Sequence, residues 1–494
     1  MAEATALRGL QRILERYEPV IGLEVHVQLA TASKIFCACS TSYGAPPNTQ
    51  VCPVCLGYPG TLPVLNQRAV ELAVTAALAL GCEVRATSVF ARKHYFYPDL
   101  PKGYQISQYD RPLSTAGRLE IRLADGTSKT VGITRLHLEE DAGKSMHGPE
   151  GTLVDFNRCG TPLVEIVSEP DLRSPHEAFI YLSTLKQVLR YLDVSDCNME
   201  EGSLRCDANV SIRPRGETAL GTKTEVKNVN SFRYVEDALM FEIRRQAKLL
   251  ATGRAVVPET LQWDSARGEA RPMRSKEMSH DYRYFPEPDL EPLVVPAAQV
   301  EAIRGGLPES PTARAERFVH QYGLPEYDAG VLTSSRGMAD YFEAVAKRFG
   351  DAKEVSNWLM GEVLRLANER REEVRLVPEP RPLSPDHLEA LLRLKSEGTI
   401  SGRAAKEILA AIVETGRDPA SIVEERGLGQ VSDADALEAE VLAVLEAHPE
   451  KVAAYRDGKG GLIGFFVGQV MRRTGGKANP QLVNDLIRMR LAGD

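Results

Sequence analysis

With 494 residues, 43% of them hydrophobic and 26% charged, the chain is too long for one core and reads as a soluble globular protein of several domains, at roughly 100–200 residues each. Its net charge of −8 argues against a basic coat for bulk nucleic-acid binding, while leaving room for a local basic site. No apolar run reaches the ~18 residues that a membrane span needs, residues 1–18 carry acids among their arginines, unlike a secretory or transit peptide, and eight cysteines without such a signal point to the cytoplasm, where clustered cysteines favour metal ligation over disulfides.

The N-terminal stretch spaces Leu7, Leu10, Ile13 and Leu14 as a leading amphipathic helix. Val20–Leu29 then alternates. Leu23, Val25, Val27 and Leu29 point one way, and Glu24, His26 and Gln28 point the other, which is the period of a half-buried strand. A carboxylate, an imidazole and an amide in a row, with no Lys or Arg in the strand to neutralise the acid, make this face a candidate wall of a metal-dependent site. Taken alone, it also fits an edge strand whose polar face meets water. Cys37 and Cys39 follow, then twelve residues, then Cys52 and Cys55. Two close cysteine pairs on two turns can close four thiolates around Zn²⁺, and with all four positions filled by protein the site is expected to be structural. Cys82, Cys159, Cys197 and Cys206 stand alone and read as small buried hydrophobes.

Helical patterns follow at 66–81, with Asn66 as cap, at 174–192, with Ser174 as cap and Pro175 at the first position, and at 230–252. Strand-like runs lie at 117–123, 129–138, 162–167, 206–212 and 222–229. Short strands outnumber helices and no regular βαβ alternation appears. The expected fold class is α+β, an antiparallel-sheet cradle domain over 1–300 closed by the Pro-rich stretch 286–312. Helical spacing then dominates, for example at 336–349 and 354–371. A second Pro-rich break at 377–385 interrupts it. The expectation is an all-α helical domain over 301–420 and a tail domain over 421–494.

The chemistry-bearing stretches lie mainly in the first domain. A predicted strand runs into Glu139, Glu140 and Asp141. Three consecutive acids at a strand end are costly unless something positive sits there. Gly143-Lys144-Ser145 invites a phosphate-loop reading, which fails because the loop's first glycine would fall on Leu138. Met199–Val210 is similarly polar, and Glu225 stands between Lys223 and Lys227. Hard oxygen ligands with lysines suit Mg²⁺–nucleotide chemistry. Arg92–Gln105 interleaves four aromatics with Lys93, His94 and Lys102, which suits a nucleotide base or an RNA end but also a core loop. From 451 onward eight basic residues face three acidic ones. Arg472, Arg473 and Lys477 surround two glycines there, a pattern that suits contact with an RNA backbone.

Several stretches together resemble one family, the B subunits of the bacterial aspartyl/glutamyl-tRNA amidotransferases (GatB). They are Val20–Leu29, Tyr95–Lys102, Ile133–Ser145, Gly160–Asp171, Met199–Asn209, Asp281–Asp289, Ser356–Gly361 and Gly476–Val483, in order along nearly the whole chain. The resemblance implies a heterotrimer with an amidase A subunit, which releases ammonia from glutamine, and a small C subunit. It implies that the B subunit uses ATP and Mg²⁺ to phosphorylate and then amidate Glu-tRNA(Gln) or Asp-tRNA(Asn). It further implies that Glu24, His26, Glu140 and Glu225 form the magnesium environment, with Glu139 beside them; Lys223 and Lys227, flanking Glu225, are expected on their charge alone to offset nucleotide phosphate. Glu140 would also be the acid at the mouth of the ammonia tunnel, with Lys93 and Lys102 close by. Cys37, Cys39, Cys52 and Cys55 would be the zinc knuckle, and the tail around Arg472–Pro480 the tRNA-binding end. Two other readings fit parts of the sequence. A non-catalytic zinc-containing RNA-binding protein leaves the acidic stretches idle. A stand-alone Mg²⁺-dependent phosphotransferase leaves the long helical tail idle.

Overall fold

A 12-residue strand, β1 (Tyr17–Gln28), runs through the middle of the first half of the molecule. Its alternate side chains Leu23, Val25 and Val27 are buried, and Glu24, His26 and Gln28 occupy the other face. The computed structural model describes residues 13–273, 282–369, 383–430, 434–475 and 478–492. Most of the expected leading helix and of the second Pro-rich break lies outside them. By density of contacts the chain divides into two units, residues 1–310 and 311–494.

In the first unit β1 is flanked by β2 (Glu83–Val84), β3 (Ser114–Arg122), β4 (Ser128–Glu140), β5 (Pro162–Ser168), β6 (Leu204–Pro214), β7 (Thr224–Val229), β8 (Thr260–Asp264) and β9 (Glu269–Pro272). They form one nine-stranded sheet in the order β9-β8-β7-β6-β1-β5-β4-β3-β2. Every pairing is antiparallel except that of β7 with β8. The fold class is therefore α+β, and β1 is a central strand and not an edge. Its register sets Glu24 opposite Val167 and Asp207, and His26 opposite Glu165 and Arg205. A slip by one residue would bury the polar row and expose apolar side chains worth about 1.5–3 kcal/mol each, so the register is strongly held.

Three helices pack on the apolar side. Helix α1 (Gln67–Ala79) opens on Asn66, whose side chain accepts from the amides of Arg68 and Ala69. Its Ala69, Ala73, Ala76 and Ala77 are fully buried. Helix α2 (Pro175–Tyr191) opens on Ser174, with Pro175 at the first turn, where its missing N–H costs nothing. Helix α3 (Phe232–Ala251) opens on Ser231 and packs against β6 and β7. Their apolar faces merge with the sheet in one core. A small separate sheet pairs Ala91–His94 with Tyr104–Ser107 and Phe285–Pro286. An exposed hairpin of Lys144–Gly148 and Gly151–Asp155 follows the end of β4.

The second unit is helical throughout its described residues. Its buried apolar side chains form two clusters, one between Phe318 and Val423 and one between Leu437 and Leu491. The expected helix at 336–349 spans Arg336–Phe349, opened by Ser335 and ended by Gly350 at φ 91°, a left-handed turn that glycine takes without strain.

Candidate active site

The face of the sheet opposite the helices carries the polar side chains, and strand geometry sorts them. Successive residues on one face of a strand stand about 6.6 Å apart, so Glu24 and His26 belong to different cross-strand rows. Glu24 joins Asp207 and Glu225 from β6 and β7. Their carboxylate oxygens lie within 4.8 Å of one another. Lys227 reaches Asp207 at 2.6 Å and Glu225 at 3.4 Å. Asn209 donates to Glu24 at 2.9 Å, while its Oδ1 is buried without a partner. A set of three carboxylates and a spare amide oxygen is the donor chemistry that hard divalent cations prefer.

His26 sits in the next row with Glu139 and Glu165, again within 4.8 Å of one another. Its Nε2 lies 3.6 Å from Glu139 and 3.4 Å from Glu165. His137, fully buried on β4, faces the same two acids. Burial opposes a charge on His26, but the hydrogen bond to Glu165 and the charges of Glu139, Glu165 and Asp207 outweigh it and raise the imidazole to about 9. Burial likewise opposes charge on Glu165, yet His137, His26 and Lys93 hold it well below the usual carboxylate range. Lys93 is half-buried against the Tyr282 ring, 4.9 Å from its centroid. Desolvation is outweighed there by Tyr284, Glu139 and Glu165, which keep it charged.

Glu140 faces the other way. It pairs with Lys102 and accepts from the Ile106 amide at 2.8 Å. Both side chains are buried, and desolvation of Lys102 is outweighed by the Glu140 charge. They line a small cavity together with Lys34, Cys37, Cys55 and Tyr58. Asp141 turns back towards β6, pairing with Arg205 at 2.6 Å and with Gln28 at 2.9 Å. Its carboxyl stays low because Arg205 and Arg158 overcome its burial. Beside Arg205 and Asp207 opens a polar cavity of about 500 Å³, walled also by Lys144, Asn157 and Arg158.

Comparison with known proteins decides the family. The model described as "GatB/GatE catalytic domain" matches residues 19–301, and the one described as "GatB domain" matches residues 340–491. The chain belongs to the GatB family. Among its GatB relatives, the B subunit of the aspartyl/glutamyl-tRNA(Asn/Gln) amidotransferase of Moorella thermoacetica is 58% identical over 96% of this chain and all of its own length. The B subunits of the amidotransferases of the same name from Caldanaerobacter subterraneus subsp. tengcongensis and Thermodesulfovibrio yellowstonii are 56% and 54% identical, over 97% and 96% of this chain and 100% and 98% of their own.

In this GatB chain the residues expected as one magnesium environment fall into three places. Glu24 and Glu225 share the first row, His26 the second, and Glu140 neither. The cause is alternation along β4 and the two-residue step along β1. Lys93 and Lys102 part as well, one standing on the Glu139 side and the other pairing with Glu140. Lys223 is exposed on the rim of a further cavity that includes Glu24, whereas Lys227 is inside the first row. Four residues that sequence reasoning did not single out complete the rows, Glu165, His137, Asp207 and Asn209, and Arg205 stands beside them paired with Asp141. Glu165 interrupts the apolar run of β5, and Arg205, Asp207 and Asn209 alternate along β6, so period-two spacing was the available signal.

The four cysteine sulfurs of Cys37, Cys39, Cys52 and Cys55 also lie within 4.8 Å of one another. The Cys52 amide points at Cys55 Sγ from 3.2 Å. The hydrogen bond with Cys37 pulls the Cys55 thiol down to about 4 against its burial, and pushes Cys37 up. Four sulfurs gathered this closely, with a backbone amide aimed at one of them, fit a metal ion. Cys82, Cys159, Cys197 and Cys206 are buried singly. In the tail, Arg472 is exposed and Arg473 pairs with Glu440 at 2.6 Å. Lys477 lies outside the described residues.

Proposed function

We propose that the chain is the B subunit of a glutamine-dependent amidotransferase that converts Glu-tRNA(Gln), Asp-tRNA(Asn) or both to the amidated aminoacyl-tRNAs, with ATP as phosphoryl donor. The reading rests on family membership and on one structural observation. A single strand end delivers Glu139 to the sheet face that carries the two ligand rows and Glu140 to a separate buried cavity.

The chemistry requires two compartments. A carboxylate does not form an amide with ammonia, because ammonia merely protonates it. The side-chain carboxylate of the misacylated residue therefore attacks the γ-phosphorus of ATP, ADP departs, and the acyl carbon becomes electrophilic. Ammonia attacks that carbon and inorganic phosphate leaves. Glu24, Asp207 and Glu225, with the spare Asn209 oxygen, are the residues that would hold Mg²⁺. When bound, the ion offsets phosphate charge. His26 is better placed as the cation that holds Glu139 and Glu165 than as a magnesium ligand. Lys93 and Arg205 offer positive charge beside the rows. Glu140, buried against Lys102, would bind ammonium and take its proton. The ammonia is expected from an amidase A subunit, and a small C subunit is expected to brace the complex. The four cysteines are expected to hold a structural Zn²⁺. The tail, residues 421–494, is expected to grip the tRNA through Arg472, Arg473 and Lys477.

The test is reconstitution with the A and C subunits. Amide formation on Glu-tRNA(Gln) or Asp-tRNA(Asn), dependent on ATP, Mg²⁺ and glutamine, is the expected result. No amide on either tRNA would overturn the proposal.

A further inference from the structure

Lys34 is fully buried, and a lysine in that position ordinarily answers a carboxylate. Here the partners of its Nζ are two carbonyls, Gln50 O at 2.7 Å and Phe156 O at 3.4 Å, and one sulfur, Cys55 Sγ at 3.6 Å. The three belong to three different segments. Cys55 is a member of the cysteine cluster. Gln50 lies in the excursion between Cys39 and Cys52. Phe156 directly follows the hairpin Lys144–Asp155, which is not part of the main sheet.

The excursion and the hairpin are otherwise joined by side-chain amides. Asn48, at φ 58°, donates from its amide to Asp155 at 3.0 Å and from Nδ2 to Val154 O at 3.1 Å, and it accepts from the Phe156 amide at 2.8 Å. The Gln50 amide donates to Asn157 Oδ1 at 2.8 Å, and Asn157 Nδ2 returns to Pro46 O at 2.7 Å. The excursion is thus anchored at both ends by the cysteines and bonded along its length to the hairpin. Lys144, Asp155 and Asn157 of that hairpin region wall the polar cavity beside Arg205 and Asp207.

We propose that Lys34 is a positioning residue through which metal loading of the four-cysteine centre sets the hairpin Lys144–Asp155 against the polar cavity. The inference rests on the reading of the cysteines as a zinc site. Four thiolates around a divalent ion carry a net charge of two negative units, and on the buried Cys55 side of this otherwise half-exposed cluster that charge is costly unless a cation stands beside it. Lys34 supplies that cation and, with the same ammonium, ties Gln50 and Phe156. Without the ion the cysteines no longer clamp the ends of the excursion, and the hairpin loses its fixed neighbour.

The experiment uses the full-length chain in three forms: as purified, as Lys34→Met and as Asn48→Ala. Zinc content is measured by elemental analysis, zinc release by a chromophoric chelator, and backbone exchange by mass spectrometry. One zinc per chain is expected. Its removal should raise exchange across 144–157 and leave β6 unchanged. Lys34→Met should release zinc about tenfold faster or more and raise exchange in the same segment. Asn48→Ala should raise hairpin exchange while releasing zinc at the original rate. If no zinc is bound, the reading of the cysteines fails and the proposal with it. If zinc is bound but its removal leaves 144–157 unchanged, or Lys34→Met releases zinc at the original rate, the proposal fails and the zinc reading stands. Should Lys34→Met not fold, Asn48→Ala and chelation decide it by the hairpin readout alone.

Discussion

Glu139 and Glu140 are covalent neighbours whose carboxylates serve opposite sides of one sheet. Glu139 stands 3.6 Å from His26 Nε2, and Glu140 accepts from the Ile106 amide at 2.8 Å and pairs with Lys102. Strand alternation produces this division without any turn or bulge. It allows the two halves of the proposed reaction to be disturbed separately.

Glu140→Gln tests that separation. The amide keeps the size of the side chain and cannot take a proton from ammonium. Amidation by the reconstituted complex should fall by about 100-fold or more, while tRNA binding and tRNA-dependent ATP cleavage persist. Amidation near the original rate would remove Glu140 from the reaction, and loss of all three activities would make its role structural.

Asp207→Asn and Glu225→Gln act on the oxygen-only row. Each removes one negative charge where Mg²⁺ is expected. Titrating Mg²⁺ at saturating ATP should show the half-maximal concentration raised about tenfold or more. Glu140→Gln should leave it unmoved. An unchanged magnesium requirement in both row variants would exclude Glu24, Asp207 and Glu225 as the ligand set.

The sequence made the elements legible wherever a local pattern decides them. The alternation of Val20–Leu29 predicts both the strand and its polar face, and Ser174-Pro175 and Asn66 predict helix starts that the structure shows. Cysteine spacing predicts the cluster. What stayed hidden depends on register. Nothing in the order of residues says that Glu24 faces Asp207 while His26 faces Glu165, so four candidate ligands could be grouped only by resemblance. Glu165 and His137 were lost because single polar residues in apolar strands look like exceptions until their cross-strand partners are known. Lys34 was silent for a similar reason, since its three partners come from distant positions.

Acid stability of the second unit should turn on Glu343. Burial would raise this carboxyl, but hydrogen bonds and charge from Arg317 and Arg314 hold it at about 2. Arg317 donates at 2.9 Å, and Arg314 pairs with the other oxygen. A group depressed in the folded state stabilises above its unfolded value, near 4.5 for glutamate. That contribution is lost as pH falls towards 2. Glu343→Gln should therefore flatten the pH dependence of unfolding between about 4.5 and 2. The reporter is Trp358 fluorescence in a Trp263→Phe background, because these are the two tryptophans of the chain. An identical slope in variant and parent would show that the ion cluster does not couple to folding.

In the tail, pairing decides which arginine counts. Arg472 is exposed, whereas Arg473 spends its charge on Glu440 at 2.6 Å across a partly exposed pair, an interaction worth about 0–1 kcal/mol. If the tail holds tRNA phosphates, Arg472→Ala should weaken tRNA binding and reduce the slope of log affinity against log salt by about 1. Arg473→Ala should cost less, because Glu440 already offsets it. Glu440→Gln, which frees Arg473, should tighten binding and steepen the slope. Filter binding of tRNA to the assembled complex at several salt concentrations measures all three. Equal losses from both alanine variants with no gain from Glu440→Gln would mean that the Arg473–Glu440 pair opens whenever tRNA binds.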